Sequence, residues 1–542
     1  MSSHQHAAEE RFDVIIVGAG FAGMYMLHKI RNMGLSVQVF ERGEGVGGTW
    51  YWNRYPGARC DLESMEYSYS FDEDLQQEWN WSEKYGTQPE LLRYADYVAD
   101  RFDLRRDIKF ETIIKEARYD APQGMWSVVC DRGVRALCRY LILATGNLST
   151  PQLPAIDGVS QFSGRSFHTG AWPQDGVDFT GRHVGVIGTG SSAVQAIPQI
   201  AEEADFLTVF QRTANFSIPA HHGPLDPSER EEKKSKYHEI RTKANETPFG
   251  IAKFGSPTQS TWDVGDIKRQ QIYEEAWAIG GQALLFTFTD LLTDEKANET
   301  AAEFVRTRIR ETVNNPDVAE LLCPKDHPIG TKRLCLDSFY YETFNRENVR
   351  LVDVKNTPIT RINKDAVVVG DSSYEVDDLV YATGFDAMTG AARDINIIGE
   401  LGSNLNDEWS AGPRTYLGLM VSGFPNMYLI TGPQSPGVKS QMILSIEYHV
   451  DMIAKMISKM QDEGLYIARA DCKAQEAWVE HNNEVANGTL YPAAASWYMG
   501  ANIPGKPRIF MPYVGGVKQY RSICGEVISE NWKGFEFSGD QS

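Results

Sequence analysis

The sequence predicts an α/β fold of two nested strand-and-helix domains with a helical insertion, and three observations carry that prediction. Residues 14–17 form a continuous apolar run, as in strands buried on both faces, and lead at once into Gly18-Ala19-Gly20-Phe21-Ala22-Gly23. The pattern recurs at residues 183–187, followed by Gly188-Thr189-Gly190-Ser191-Ser192-Ala193, with Gly188 standing 170 residues after Gly18. Two further strand-then-glycine segments, residues 141–146 and 379–384, read as the strands that close the two units. Their order places the second unit inside the first, which must resume after about Asp386.

Taken in order, the first unit is strand, glycine turn, a helix to about Arg31 ended by Gly34, and a second strand over residues 36–40 that closes on Glu41. In the second unit the next strand is residues 206–210. Between residues 225 and 330 the text turns to dense mixed charge with apolar residues three or four apart, such as Ala302, Val305, Ile309 and Val313, which predicts helices. Within it Thr300-x-x-Glu303 fits a capping box, although helical text already begins before it, Asn315-Pro316 stops the run, and residues 280–285 form an apolar patch suited to covering a cleft. The resulting division is 1–155 and 387–542 for the two parts of the first domain, 156–224 and 331–386 for the two parts of the second, and 225–330 for the insertion.

Composition excludes several classes of function. With 53 basic and 73 acidic side chains the formal charge is −20, which argues against an electrostatic grip on nucleic acid or anionic membrane and leaves small molecules as partners. Hydrophobic residues at 42% suffice for a large core. The seven cysteines are scattered, with no CxxC and no ligand-type spacing with histidine, so reduced thiols and no metal site are expected. The first twelve residues are polar and no stretch of about 18 apolar residues occurs, so a cytoplasmic protein is expected, with a monomer as the simplest state.

A lone GxGxxG is weak evidence, because glycines serve any tight turn. Here both turns sit between a strand and a helix, where Gly18, Gly20, Gly23, Gly188 and Gly190 permit close approach of a pyrophosphate and the helix N-terminal N–H groups stabilise its charge. These are Rossmann-like dinucleotide units. Glu41, 23 residues past Gly18, can accept hydrogen bonds from both ribose hydroxyls of an adenosine lacking a 2′-phosphate, which fits FAD. At the matching place in the second unit, 24 residues past Gly188, stands Arg212, followed by Thr213; a guanidinium there pairs with a 2′-phosphate and favours NADPH, the alternative being a surface arginine at a strand end. The aromatic segment from Thr49, Trp50 and Trp52 to Tyr55-Pro56-Gly57 reads equally as core packing, and Arg59 and Asp61 either as a structural ion pair or as a tuned site beside a flavin.

Phe162-Ser-Gly164-Arg-Ser-Phe-His168-Thr-Gly-Ala-Trp172-Pro173 matches in full the FxGxxxHxxxWP fingerprint of type I Baeyer-Villiger monooxygenases, and Gly47-Gly48-Thr49-Trp50 through Tyr55-Pro56-Gly57 to Asp61 matches that family's GGxWxxxxYPGxxxD motif. The chain therefore resembles this family nearly end to end. Within it the likeness is strongest to phenylacetone and steroid monooxygenases, through segments such as GTKR, FDAMTG, AGPRTYLGL and SWYMGANIPGKPR.

The resemblance implies an FAD-containing oxidoreductase in which NADPH reduces the flavin, O2 adds to give a C4a-peroxyflavin, and that species inserts an oxygen atom beside a ketone carbonyl to yield an ester or lactone. Sulfide oxidation is a further activity it admits. By alignment Arg333 is the catalytic arginine, Asp61 the carboxylate that orients it, Lys332 the partner of Arg212 at the 2′-phosphate, and Trp497 the tryptophan near the nicotinamide ribose. His168 falls on the linker between domains, where it couples domain movement to catalysis or is simply a satisfied structural histidine. Phe21, Arg59, Tyr67, Asn147, Met442, Thr189, Ser191, Ser192 and Gln195 fall at nucleotide or active-site positions, and Gly437, Val438, Lys439 and Met442 shape the substrate pocket, with Lys439 free to sit in solvent. Three other readings share parts of this pattern: a nitrogen- or sulfur-oxygenating flavoprotein, against which Trp172-Pro173 and Arg333 speak; a disulfide reductase, for which Cys60 lacks a close partner; and a flavin redox sensor without turnover, against which Arg333, Asp61 and the NADPH site speak.

Overall fold

The computed structural model describes residues 10–539; the first nine residues, part of the polar start behind the cytoplasmic expectation, lie outside the described residues. Two sheets organise the chain. In the first, Glu10–Val17 lies between Val37–Phe40 and Arg135–Leu143, all parallel, and Ile108–Lys109 extends the Val37–Phe40 edge. Met427–Leu429 pairs in parallel with residues 141–143. Beyond Arg135–Leu143 the sheet continues antiparallel through Met125–Cys130 to Ile114–Asp120, and Asn396–Ile398 closes that edge. The second sheet is wholly parallel, in the order Val349–Asp353, Phe206–Gln211, His183–Ile187, Asp378–Tyr381, Arg165–His168. Every strand of the second sheet thus falls in the sequence between residues 143 and 396 of the first, which is the nesting the order of glycine segments implied.

The apolar run at residues 14–17 is buried on both faces: Val14 and Ile16 pack in the core with helix Phe21–Asn32, and Ile15 and Val17 in a second core with Ile114, Ala117, Trp126 and Val128 of the antiparallel strands. Helix Phe21–Asn32 buries Phe21, Met24, Leu27 and Ile30 on one face, and Gly34 follows its end at φ +75°. The long helix Met442–Asp462 packs against it through Ile443, Ile446, Val450, Ile453 and Ile457, spaced three or four apart and all buried, each stabilising the fold by about 1.5–3 kcal/mol. No described helix is long and apolar enough to cross a membrane.

The insertion is helical, with Pro227–Ser235, Tyr237–Asn245, Asp266–Ile279, Glu295–Thr312 and Pro316–Leu322. It does not pack as one unit. Leu225, Tyr237 and Ile251 join the core of the first sheet, whereas Tyr273, Leu284, Phe304 and Ile309 join that of the second. The Thr300–Glu303 capping box is corrected: the helix begins a turn and a half earlier, where Asp294 accepts from the Ala297 N–H at 2.7 Å, and Thr300 instead donates to the Ala297 carbonyl. A helix start is decided by the first carboxylate that can reach an orphan N–H, and Asp294 precedes Thr300. Asn315 does not stop that helix, which ends at Thr312, but caps the next one, with Pro316 in its first turn. The residues 280–285 patch is a buried short turn around Ala283 and Leu284.

Candidate active site

The first glycine turn is dictated by backbone crowding. Gly18 sits at φ +102°, and a Cβ there would lie 2.7 Å from the Ala144 carbonyl oxygen; Gly23 faces inward, where a Cβ would collide with the Gly18 carbonyl at 1.8 Å. Gly20 precedes the helix with no side-chain cap, so the first amides of Phe21–Asn32 stay open toward the cleft. Glu41 is buried at the end of the second strand, accepting from Ala19 N–H at 2.8 Å and Gly43 N–H at 2.7 Å, one on each oxygen. A carboxylate has about four acceptor positions, so capacity remains for ribose hydroxyls.

The second turn repeats the construction. Gly188 lies at φ +111°, with a Cβ position 2.5 Å from the Ala382 carbonyl oxygen, and Gly190 faces open space before the uncapped helix Ser191–Glu203. Thr189 donates to the Thr213 carbonyl at 2.8 Å and Asn215 to the Thr189 carbonyl at 2.7 Å, which holds the turn against the strand that ends at Gln211. Arg212 and Lys332 come together here. Burial lowers the Lys332 pKa, with the Arg212 charge adding to the effect, and neither cation forms an ion pair or hydrogen bond among the described residues. Two neighbouring cations with no directly paired carboxylate fit a phosphate; Asp326, the acid whose charge reaches Lys332, is paired with Lys355.

Between the two turns lies a cleft of about 1190 Å³, larger than the roughly 300–1,000 Å³ of a single small-molecule site, so it has room for more than one ligand. Arg333 projects into it. Its Nε and Nη2 each donate to Asp61 at 2.6 Å, and its Nη1 donates to the Val438 carbonyl at 2.8 Å. Of five guanidinium N–H groups three are thereby used and two remain. Burial pulls the Arg333 pKa down, but the adjacent Asp61 charge and its hydrogen bonds outweigh this and raise it, so the group stays cationic throughout the physiological range.

Residues 15–247 match the family described as pyridine nucleotide-disulphide oxidoreductase. A Baeyer-Villiger monooxygenase of Pseudooceanicola batsensis is 40% identical over 527 residues, covering 96% of this chain and 95% of that protein. This chain belongs to the Baeyer-Villiger monooxygenases. An oxidized steroid monooxygenase bound to NADP superposes with a TM-score of 0.93 at 49% identity, covering 98% of this chain and 100% of that one. OTEMO in complex with FAD and NADP gives a TM-score of 0.94 at 38% identity, again over 98% of this chain and 100% of that one. A phenazine N-monooxygenase of Lysobacter antibioticus is also 39% identical, covering 98% of each chain, so overall similarity does not by itself separate carbonyl from nitrogen oxygenation.

Within this Baeyer-Villiger chain, Gly18, Gly20, Phe21, Glu41, Thr49, Trp50, Trp52, Arg59, Asp61, Tyr67, Asn147, Gly188, Thr189, Gly190, Ser191, Ser192, Gln195, Arg212, Thr213, Lys332, Arg333, Val438, Met442 and Trp497 all line the cleft. Gly23, Gly437 and Lys439 are not among the residues lining it; Gly23 serves helix-to-turn packing, and Gly437 and Lys439 flank Val438 on the loop behind the cleft wall. Gln195 lines the cleft but spends its amide joining the domains, accepting from the Tyr55 hydroxyl at 2.8 Å and donating to the Arg59 carbonyl at 3.1 Å. The Arg59 guanidinium is held by Glu83 at 2.8 Å rather than by Asp61, which separates the pair that the sequence left open.

The family fingerprint has a structural task. Trp172 is buried against Phe167 and Phe179, and its backbone N–H donates to the Trp52 carbonyl at 3.3 Å, so this position ties the second domain to the aromatic segment of the first. His168 stays outside the cleft: its Nδ1 accepts from the Gly170 N–H at 2.9 Å, Nε2 lies 3.4 Å from the Thr383 hydroxyl, and burial lowers its pKa. Although counted with Arg333 and Asp61 among the groups serving catalysis, His168 does not reach the cleft and is satisfied by its own loop and Thr383. All seven cysteines are free. Lys439 is also corrected: its ammonium lies not in solvent but 4.3 Å from the ring centre of Tyr491 and 4.8 Å from that of Tyr498. These two tyrosines escaped the sequence reading, although Tyr498 adjoins Trp497 within a motif already singled out.

Proposed function

We propose that this chain uses FAD, NADPH and O2 to convert ketones to esters or lactones, with Arg333 as the catalytic residue. The observation that carries this reading is the Asp61–Arg333–Val438 arrangement, which leaves two N–H groups of a cationic guanidinium unengaged by Asp61 and Val438 at the wall of the cleft shared by both glycine turns. When bound, FAD and NADPH supply the electron and oxygen chemistry that no side chain possesses. Arg333 stabilises the negative charge that develops on the carbonyl oxygen of the ketone, and Asp61 keeps the guanidinium in one orientation throughout. Glu41 and the open amides after Gly20 hold the adenosine and pyrophosphate of FAD; Arg212 and Lys332 hold the 2′-phosphate of NADPH. Trp50, whose indole N–H meets the Tyr67 hydroxyl at 3.2 Å, helps wall the cleft from water.

The test is aerobic turnover of the purified flavoprotein with NADPH and a panel of linear, cyclic and aromatic ketones. Products one oxygen atom heavier than the ketone are expected. NADPH oxidation that yields hydrogen peroxide alone overturns the proposal. A second reading, oxygenation of nitrogen or sulfur, draws support from the similarity to a phenazine N-monooxygenase; N-heteroaromatics and sulfides in the same panel, oxidised in preference to every ketone, would favour it.

A further inference from the structure

Lys439 lies on the loop before helix Met442–Asp462, between Val438, which holds Arg333, and Ser440, which lines the cleft. Besides Tyr491 and Tyr498, the Phe249 ring centre stands 5.8 Å from its Nζ. Among the described residues this ammonium forms no ion pair and no hydrogen bond, and the charge acting on it is another cation, Arg333; burial and that charge hold its pKa well below the usual lysine value. The Tyr491 and Tyr498 hydroxyls, both buried, are likewise without partners. Tyr498 is near enough to Arg333 that the guanidinium opposes the rise burial imposes, leaving the phenol at about 12.

Arg333 is already balanced by Asp61, so protonating Lys439 places a positive charge here with no counter-charge, beside two unmatched hydroxyl donors. Aromatic faces alone attract an ammonium, but an aliphatic side chain would fill the same space without the cost of desolvating a charge. A neutral carbonyl would satisfy a donor and leave the charge. An anionic acceptor satisfies both. Resting on the Baeyer-Villiger reading above, we propose that Lys439 with Tyr491 and Tyr498 forms a seat for a carboxylate on the substrate, so that the preferred substrates are keto acids rather than neutral ketones.

The test measures kcat/KM of the holoenzyme for methyl-ketone carboxylates of increasing chain length, starting from levulinate, against neutral methyl ketones of the same length. At one length the acid is expected to exceed its neutral partner by about tenfold or more, chiefly through a lower KM, a difference a single charged contact supplies. In Lys439→Met that acid-to-neutral ratio should collapse toward one, and Lys439→Arg should retain most of it. Neutral ketones preferred by the unaltered enzyme at every length, or a ratio unmoved in Lys439→Met, overturns the seat. The first of these needs no variant to fold. Absence of ester from both series overturns the Baeyer-Villiger reading itself, and the seat with it, while ester from neutral ketones alone overturns only the seat.

Discussion

Replacing Arg333 with alanine removes three anchoring hydrogen bonds and two free N–H donors together with the charge they carry. Loss of one preorganised donor aimed at developing negative charge costs about 2.7–4 kcal/mol in the chemical step, so ester formation should fall by at least roughly 10²–10³. Stability should suffer less. Breaking a fully buried pair costs about 3–5 kcal/mol, but the side chains here keep 25% and 26% of their exposure, and solvent in the cleft screens the Asp61 charge left behind. Both glycine turns and Glu41 are untouched, so FAD should stay bound and NADPH should still reduce it. Arg333→Lys separates charge from geometry: it keeps a cation but loses the fork that grips both Asp61 oxygens, and should recover only part of the rate. The assay follows flavin bleaching by NADPH under anaerobic conditions, then ester yield and hydrogen peroxide per NADPH in air. Ester yield in Arg333→Ala equal to that of the unaltered enzyme would refute the assignment.

Arg212→Ala should raise the KM for NADPH but not NADH, by about 1.5–3 kcal/mol or roughly 10–150-fold, and equal losses with both would remove Arg212 from the 2′-phosphate site. Trp172→Ala should lower stability by about 3–5 kcal/mol while leaving the reacting residues in place, checked by the melting temperature with FAD content as control. Asp337, whose Oδ1 accepts from the Tyr340 N–H at 2.5 Å, is pushed by burial from 3.8 up to about 7. A carboxyl raised on folding contributes stability that is full below its unfolded pKa and is lost as pH rises through the folded one. Thermal stability should therefore decline between about pH 4 and 7 on this group's account, and Asp337→Asn, which keeps the acceptor, should flatten that decline; an unchanged slope counts against it.

The two glycine turns, Glu41, Arg212 and the nested order were legible in the sequence because each is a local requirement. A chain that passes from a buried strand to a helix N-terminus at φ above +100° needs glycine there, and the side chain at the end of the next strand is set by counting. Helical text before Thr300 was legible too, but the residue that caps that helix, Asp294, is decided by which side chain the backbone brings to an open N–H.

Other features belong to the tertiary structure. Asp61 and Arg333 are 272 residues apart, and residue spacing without the family resemblance offers no reason to pair Arg333, rather than Arg59, with Asp61. The division of the insertion between two cores, the engagement of Gln195 with Tyr55 and Arg59, and the burial of Lys439 among aromatic rings are likewise invisible along the chain. Backbone conformation is specified over a few residues, so sequence alone determined the folds of the nucleotide units. Which side chains lose water together depends on how those units pack, and that packing decided the charge state and partners of the groups in the cleft.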